Sequence, residues 1–294
     1  MTQKTLADNI IWGAPSFWIN VFPVYFAKYK GLFHERGINI DVKFFHGGPE
    51  LTEAVKKGEI QVGNIGLPPF LKAFEEGLPA RIIGSAAVQR LDIFLVSQPE
   101  IKKISDLKGK KIGILSMGSC DSYFIRRILE KESLDPEDVQ LVPLQESYGD
   151  LRVITSKQVD STFLVEPKVT LGESTAALNV LAHVGDYFPQ YQWNVLFAKE
   201  DLIADNRVLL DRILEAYRRS SRSIKEASEE VLEFGSRLFD MQKDLFKVAL
   251  EGTLVNWHTE ARIDCAGLEN AIRIQREMGA IRADIKKEDL VSQL

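Results

Sequence analysis

The chain has 294 residues, of which 45% are hydrophobic and 27% are charged. A chain of this length buries most of its unfolded surface without disulfides, and this composition excludes a disordered or collagen-like protein. Lysine and arginine number 37 against 42 aspartate and glutamate residues, so the net charge of -5 disfavours nucleic-acid binding. Cys120 and Cys265 are too few for a disulfide framework or a zinc knuckle.

Strands and helices alternate through the first third of the chain, in the way that is typical of an α/β fold. Trp18, Phe22 and Tyr25 begin an apolar face with helical spacing, and Gly31 ends that helix. Strands are predicted at residues 10–13, 38–45, 60–63, 81–84 and 92–96, and helices at residues 17–30, 50–57 and 68–76.

The middle of the chain repeats this rhythm, which predicts a second α/β lobe. Strands are predicted at residues 111–115, 139–142, 159–165 and 194–198, and helices at residues 123–133 and 150–156. Residues 54–63 resemble residues 153–162, since a helix ends in a polar kink and a short strand follows in both. From residue 206 to Met278 the pattern is helical. The length also predicts two lobes.

The first residues do not form a secretory signal, because they hold one lysine and no apolar segment. We expect a cytoplasmic protein if Met1 is the native start, and a periplasmic or externally anchored one if a leader was removed. No stretch approaches the roughly 18 apolar residues of a membrane span, so none is predicted.

The turn at residues 116–122 is the strongest local signal for a binding site. It lies between a buried strand and a helix start, where free N–H groups and the helix dipole favour an acceptor or anion. Ser116, Gly118 and Ser119 are expected to contact it, whereas the charge of Asp121 opposes an anion. Ordinary helix capping explains the same residues equally well.

Catalytic motifs are missing from the sequence. It has no GxGxxG, Walker, GxSxG or HExxH pattern, and its four histidines are scattered without metal-ligand spacing, so neither a metal nor a cofactor is predicted. If the protein is an enzyme, the candidates are Cys120 at a helix start, His46 at a strand end, and Glu166. Trp12, Phe17 and Trp193 are candidates for contact with a flat or apolar ligand, although each can equally be part of the core.

A family resemblance enters through residues 30–42, which read KGLFHERGINIDV. This string resembles the opening of the NMT1/THI5-like and sulfonate/nitrate/taurine-type solute-binding proteins. Further matches follow in the family's order at residues 54–63, 104–113, 134–139, 157–161 and 165–167. Together they cover residues 10–200, and Gln61 departs from the aspartate that is common in the family.

The resemblance implies a two-lobed type 2 periplasmic-binding-protein fold with two crossing strands, at residues 92–96 and 194–198. One lobe is then expected to comprise residues 1–92 plus 197–294, and the other residues 93–196. Ligand contacts are implied from four loops between these lobes. They add Pro15, Ser16, Asn64 and Gly66 to the candidates, beside the turn at 116–122 and the turn around Glu166.

Two enzyme branches of this fold fit the sequence poorly. Ile65 and Pro69 stand near the positions of a lysine and a histidine that the thiamin-pyrimidine synthases carry, and the cysteine cluster of those enzymes is missing. The sulfinate desulfinases use a cysteine in the first loop, where this chain has residues 13–16, GAPS.

The first hypothesis is therefore a solute-binding protein of an ABC importer. It is expected to be a monomer that captures a sulfonate, carboxylate or heteroaromatic ligand by hinge closure and delivers it to a permease. The alternatives are a cytoplasmic enzyme on the same scaffold, either lyase-, decarboxylase- or desulfinase-like or related to thiamin precursors, and a ligand sensor.

Overall fold

A computed structural model describes residues 8–15, 17–117, 119–144, 150–282 and 284–292. In these residues ten strands form two five-stranded sheets. We call the part built around the first sheet lobe I and the part built around the second sheet lobe II. The mixed α/β architecture agrees with the predicted fold class.

The sheet of lobe I has the strand order β2-β1-β3-β10-β4. Strand β1 is parallel to β2 and β3, and β10 is antiparallel to β3 and β4. A Cβ atom on Gly63 of β3 would collide with the carbonyl oxygen of Gly13, so a glycine allows the close approach of β3 to β1. The strands are β1 (Asp8–Ala14), β2 (Ile38–Phe44), β3 (Val62–Gly66), β4 (Ala80–Ser85) and β10 (Asn194–Lys199).

The sheet of lobe II has the order β7-β6-β8-β5-β9. Strand β6 is parallel to β7 and β8, and β5 is antiparallel to β8 and β9. Each sheet therefore inserts one antiparallel strand beside a parallel trio, which agrees with the internal similarity in the sequence. The strands are β5 (Phe94–Ser97), β6 (Lys111–Ile114), β7 (Gln140–Pro143), β8 (Ser161–Leu164) and β9 (Asn179–His183).

Helices connect the parallel strands, and the chain from α8 onward is helical as predicted. Helix α9 packs on α1, and the ring of Tyr217 on α9 stacks on Trp12 of β1 at a centroid distance of 5.8 Å. The helices are α1 (Phe22–Tyr29), α2 (Gly48–Lys56), α3 (Leu67–Glu75), α4 (Cys120–Lys131), α5 (Arg152–Thr155), α6 (Lys168–Ser174), α7 (Val184–Tyr187), α8 (Glu200–Asp205), α9 (Arg207–Lys225), α10 (Glu229–Phe239), α11 (Lys243–Leu254), α12 (Cys265–Glu277) and α13 (Lys287–Leu290).

Two segments carry the chain between the sheets, residues 86–93 and residues 184–193, and we call them the crossing segments. Strand β5 lies wholly in the second sheet and β10 wholly in the first, so each predicted crossing strand belongs to a single sheet. The division into residues 1–92 plus 197–294 and residues 93–196, as units that move together, stays a prediction.

Several predicted boundaries were wrong for local reasons. Helix α1 begins at Phe22 rather than at residue 17, because residues 19–21 form a 3-10 turn first. Helix α4 begins at Cys120, three residues before the predicted start, because its first turn is polar and adds nothing to the apolar period. Strand β5 begins at Phe94 rather than at residue 92. Strand β9 was not predicted, and all of its residues are only half-buried.

Candidate functional site

The candidate site lies where loops at the carboxyl ends of the parallel strands meet between the lobes. Open α/β sheets bind ligands at this edge, because helix starts and loop N–H groups converge there. The loop after β1 reaches lobe II directly, since the N–H of Ile19 donates to the carbonyl oxygen of Glu166 at 3.3 Å. Glu166 follows β8, so this hydrogen bond joins the carboxyl ends of both sheets.

Glu166 is a buried carboxylate, with 7% of its surface exposed. Its two oxygens accept hydrogen bonds from the N–H of Thr170, at 3.1 Å, and from the hydroxyl of Thr170, at 2.9 Å. Burial raises the pKa of Glu166 to about 7, and the negative charges of Asp92 and Glu173 act in the same direction. The Thr170 hydrogen bonds oppose this rise. The carboxyl group is therefore partly protonated near neutral pH.

Asp92 is a second buried carboxylate beside Glu166, and the sequence analysis did not select it. Asp92 lies two residues before Phe94, and Glu166 lies two residues after Leu164, the partner of Phe94. The antiparallel pairing therefore brings the two acids close enough for the charge of Asp92 to act on Glu166. One carboxylate oxygen of Asp92 lies 3.2 Å from the Nε2 atom of His183. The other oxygen, Oδ2, is buried and has no hydrogen-bond partner within the described part of the chain. A single acid within the apolar run at residues 91–96 was the available signal.

His183 holds Asp92 on one side and approaches Asp186 on the other, where its Nδ1 atom lies 3.4 Å from a carboxylate oxygen. Burial alone lowers the pKa of His183, but its hydrogen bonds and the charges of Asp92 and Asp186 outweigh that effect and raise it. The imidazolium form therefore compensates part of the negative charge at Asp92.

The turn after β6 uses its polar side chains internally. The carboxylate of Asp121 accepts the N–H of Leu115 at 2.5 Å and is hydrogen-bonded to the hydroxyl of Ser119. Ser119 also contacts the backbone of Ser116, and its hydroxyl does not cap α4. Burial raises the pKa of Asp121, and these hydrogen bonds oppose the rise. A buried carboxylate thus occupies the helix start at which the sequence predicted an acceptor or anion. Gly118 lies outside the described residues.

Cys120 bridges the lobes without the features of a nucleophile. Its Sγ atom lies 3.4 Å from the Nε2 atom of Gln275 on α12, and Gln275 also donates to the hydroxyl of Tyr191 at 2.9 Å. Burial raises the pKa of the Cys120 thiol to about 12, and the charge of Asp121 adds to this. The Gln275 hydrogen bond opposes the shift only in part. A thiolate nucleophile needs the opposite shift.

The aromatic candidates are divided between core and surface. Trp12 is buried, and its Nε1 atom donates to the Oδ1 atom of Asn64 at 2.9 Å, which brings two of the predicted residues together. The Nδ2 atom of Asn64 is buried, with no partner among the described residues. Phe17, in contrast, is 44% exposed and contacts Phe44 and other rings of lobe I. Trp193 is buried and packs at an angle on Tyr191.

The remaining candidates lie around the same loops. Gly66 lies close to Trp193, whose carbonyl oxygen accepts the N–H of Leu67. The carbonyl oxygen of Pro15 accepts the N–H of Gly47 at 3.0 Å. His46 is exposed, and its backbone N–H donates to the Glu50 carboxylate at 2.5 Å. Ser16 lies outside the described residues.

Asn20 is a further polar residue that sequence reasoning missed. It follows Ile19, whose N–H contacts Glu166, and it is 1% exposed. Both amide atoms of its side chain lack a partner within the described ranges. Buried polar groups are normally hydrogen-bonded, so Asn20, Asn64 and Asp92 offer unsatisfied donors and acceptors. An asparagine inside an aromatic helical stretch was the sequence signal.

Some negative findings apply to the described residues. No helix among them is long and apolar enough to cross a membrane. Among these same residues, no group of three or more His, Cys, Asp or Glu side chains is placed to hold a metal ion.

Comparisons with known proteins place this geometry in context. The model of the family described as NMT1/THI5 like matches residues 18–230. A "Putative binding protein" of Brucella abortus is 28% identical over 267 residues, which cover 89% of this chain and 78% of that protein.

Two solved structures share the fold at low sequence identity. The alkanesulfonate-binding protein SsuA from Xanthomonas axonopodis pv. citri, bound to MOPS, has a TM-score of 0.79 at 15% identity, with 99% of each chain covered. The periplasmic aliphatic sulphonate binding protein SsuA from Escherichia coli has a TM-score of 0.77 at 17% identity, with 99% of this chain and 93% of that chain covered.

Proposed function

The chain belongs to the NMT1/THI5-like family, and from that premise we propose that it is the solute-binding protein of an ABC importer. It captures a small organic ligand between its lobes by hinge closure. The observation that carries the proposal is the hydrogen bond from Ile19 to Glu166, because it joins the carboxyl ends of both sheets. The sulfonate-binding proteins with the same fold support this function, as does the binding-protein relative.

The ligand class follows from the charge of the site. Three buried carboxylates, those of Asp92, Asp121 and Glu166, line or adjoin the loops that meet there. A sulfonate or carboxylate would meet acceptor oxygens that carry only part of their full negative charge and would gain no donor from them, whereas a donor or cation would satisfy the free oxygen of Asp92. We therefore favour a heteroaromatic ligand with amino or protonated ring nitrogens over a sulfonate or carboxylate. Trp193 supplies apolar contact beside Gly66.

The roles of the other candidates complete the proposal. The unpartnered amide groups of Asn20 and Asn64 hydrogen-bond ring atoms of the ligand. The protein works as a monomer without a cofactor, hands its ligand to a permease, and acts in the periplasm or anchored outside the cell.

An enzyme on the same scaffold is the second candidate, and one observation favours it. The pKa of Glu166, about 7, suits a general acid or base at neutral pH. Cys120 does not support this alternative, because burial suppresses its thiolate, and the side chain of His46 is exposed. A ligand sensor would use the same cleft and differ only in its partner.

A thermal-shift screen tests the proposal with three ligand classes: alkanesulfonates, carboxylates and amino-substituted heteroaromatics. A ligand at about 100 times its Kd stabilises the native state by roughly 2.7 kcal/mol. We expect a hit among the heteroaromatics, a smaller radius of gyration in X-ray scattering when it binds, and intact ligand by mass spectrometry. Glu166→Gln should weaken binding, and Glu173→Gln, an exposed change on the following helix α6, should not.

Each other outcome has a defined meaning. Tight binding without compaction contradicts hinge closure. If the ligand is converted to a product, and the Glu166→Gln variant does not form that product, the protein is an enzyme rather than a transport protein. A hit confined to sulfonates refutes the argument from buried carboxylates and leaves the importer role in place.

A further inference from the structure

Residues 257–267, which we call the strap, bind both crossing segments. The strap consists of the residues before α12 and the first three residues of that helix, and it lies outside the loops of the candidate site. Its hydrogen bonds run from Ser85 N to Ala261 O at 2.8 Å, from His258 N to Ala87 O at 2.8 Å, from Gln89 Nε2 to Arg262 O at 2.8 Å, and from Gln192 N to Gly267 O at 3.1 Å. The strap is therefore tied to the part of the chain about which the lobes would move.

A cavity of about 360 Å³ lies between the strap, the first crossing segment and the end of α9. Its polar lining includes Gln89, Lys225, His258, Glu260, Arg262 and Asp264. A small molecule with a few polar atoms fits a space of this size.

The cavity has an excess of positive charge. Lys225 and Arg262 line it, Arg90 lies close by, and none of the three forms a carboxylate ion pair with another described residue. Many other arginines of the protein do form such pairs, as Arg222 does. Unpaired cations around a concave surface attract anions from solution.

The acidic lining residues do not cancel this charge. Glu260 is held by two hydrogen bonds from Arg222, and these lower the pKa of Glu260 to about 2. One oxygen of Asp264 accepts the N–H of Gly267 and so caps α12. The charge of Asp264 offsets one of the three cations Lys225, Arg262 and Arg90, which leaves an excess of positive charge.

The pKa of His258 is affected by the same positive charges. Burial lowers its pKa first, and the charges of Arg90 and Lys225 lower it further, while Asp264 opposes them. The neighbouring cations therefore disfavour one more positive charge at this place. A bound anion would reverse that effect.

We infer that this cavity is an oxyanion-binding site at the hinge, separate from the cleft. Lys225 and Arg262 supply charge-assisted hydrogen bonds to the anion, and the Gln89 amide lies beside them. A phosphate, sulfate or carboxylate group satisfies this chemistry. Because the strap is hydrogen-bonded to both crossing segments, an anion in the cavity binds beside the segments about which the lobes would move.

Titration calorimetry of the full chain with inorganic phosphate tests the inference, at an ionic strength held constant with chloride. Sulfate and acetate, titrated in the same way, distinguish the oxyanion classes. We expect saturable phosphate binding, weakened about tenfold or more in the Lys225→Gln/Arg262→Gln double variant, as for the loss of charge-assisted hydrogen bonds. The control variant Lys43→Gln/Arg237→Gln removes the same charge at exposed positions outside the cavity and should bind phosphate like the wild type.

Further variants keep the result decisive. The single change Arg262→Gln affects an exposed side chain, so it tests the site if the double variant is unfolded. Glu166→Gln should leave phosphate affinity unchanged, because the cleft is a different site. The inference is overturned if wild-type protein shows no saturable binding of any of the three anions. Equal weakening in the control variant, or weakening in Glu166→Gln, also overturns it.

Discussion

Glu166 should make the protein less stable as the pH rises through neutrality. The native state raises the pKa of this carboxyl group from its ordinary value of 4.5 to about 7, chiefly through burial. The folded protein therefore binds more protons than the unfolded chain between these two values, and the free energy of unfolding falls as pH increases across this window. The difference corresponds to about 3 kcal/mol, since a factor of ten in acidity is worth about 1.4 kcal/mol.

Urea denaturation at several pH values between 4.5 and 8 measures this effect. In the wild type, Glu166 should contribute a loss of up to about 3 kcal/mol across the window, complete just above pH 7. Glu166→Gln removes the titrating group and keeps its shape. The loss of stability that Glu166 causes should therefore be absent in this variant. Glu173→Gln, at an exposed position of α6, removes the smallest of the effects that raise the pKa of Glu166 and should reduce the loss only slightly. A Glu166→Gln profile identical to the wild type would refute a protonated, buried carboxyl group.

Three more predictions concern the cleft and the core. Ser119→Phe should weaken ligand binding by about 1–3 kcal/mol in calorimetry, because the ring enters the turn after β6 and leaves polar groups unpaired. Unchanged affinity would show that this turn does not contact the ligand. Cys120→Ser should change ligand affinity by less than about 1 kcal/mol. Iodoacetamide should alkylate native Cys120 slowly at pH 7.5, and rapid alkylation would contradict the raised pKa of the thiol. Gly235→Ala should destabilise the fold by about 1–3 kcal/mol because its Cβ collides with the Phe246 ring. The control Gly252→Ala, whose Cβ meets nothing within 4 Å, should stabilise its helix by about 0.5–1 kcal/mol. Equal melting temperatures of the two variants would refute this packing argument.

The proposed ligand preference depends on which carboxylates lie close together, and their positions in the sequence do not show this. Asp92 and Glu166 are 74 positions apart in the chain, yet antiparallel pairing brings the start of β5, just after Asp92, beside the end of β8, just before Glu166. The sequence predicted strands at residues 92–96 and 159–165 but not that they pair, because apolar runs do not encode register. A pair of buried acids therefore emerges only when the sheet is assembled.

Local patterns in the sequence determined most of the elements. Apolar periods of two and 3.6 residues, with glycine and proline at their ends, located most strands and helices of both lobes to within a few residues, although β9 was missed. The helical C-terminal third followed from the same periods, as at Leu210, Ile213 and Tyr217 of α9. Polar first turns, as at Cys120 of α4, shifted the boundaries because they carry no apolar signal.

The tertiary structure alone decided what each candidate side chain does. Trp12 and Phe17 stand in the same aromatic stretch, but one is buried against Tyr217 and the other is exposed on lobe I. Cys120 begins a helix, which by itself favours a thiolate, but contact with Gln275 from the far end of the chain covers part of its surface, and burial raises the pKa of the thiol. The sequence alone determined the fold class and the loops, because short-range periodicity encodes them. Burial and charge at each site come from residues distant in the chain, so only the assembled lobes determine them.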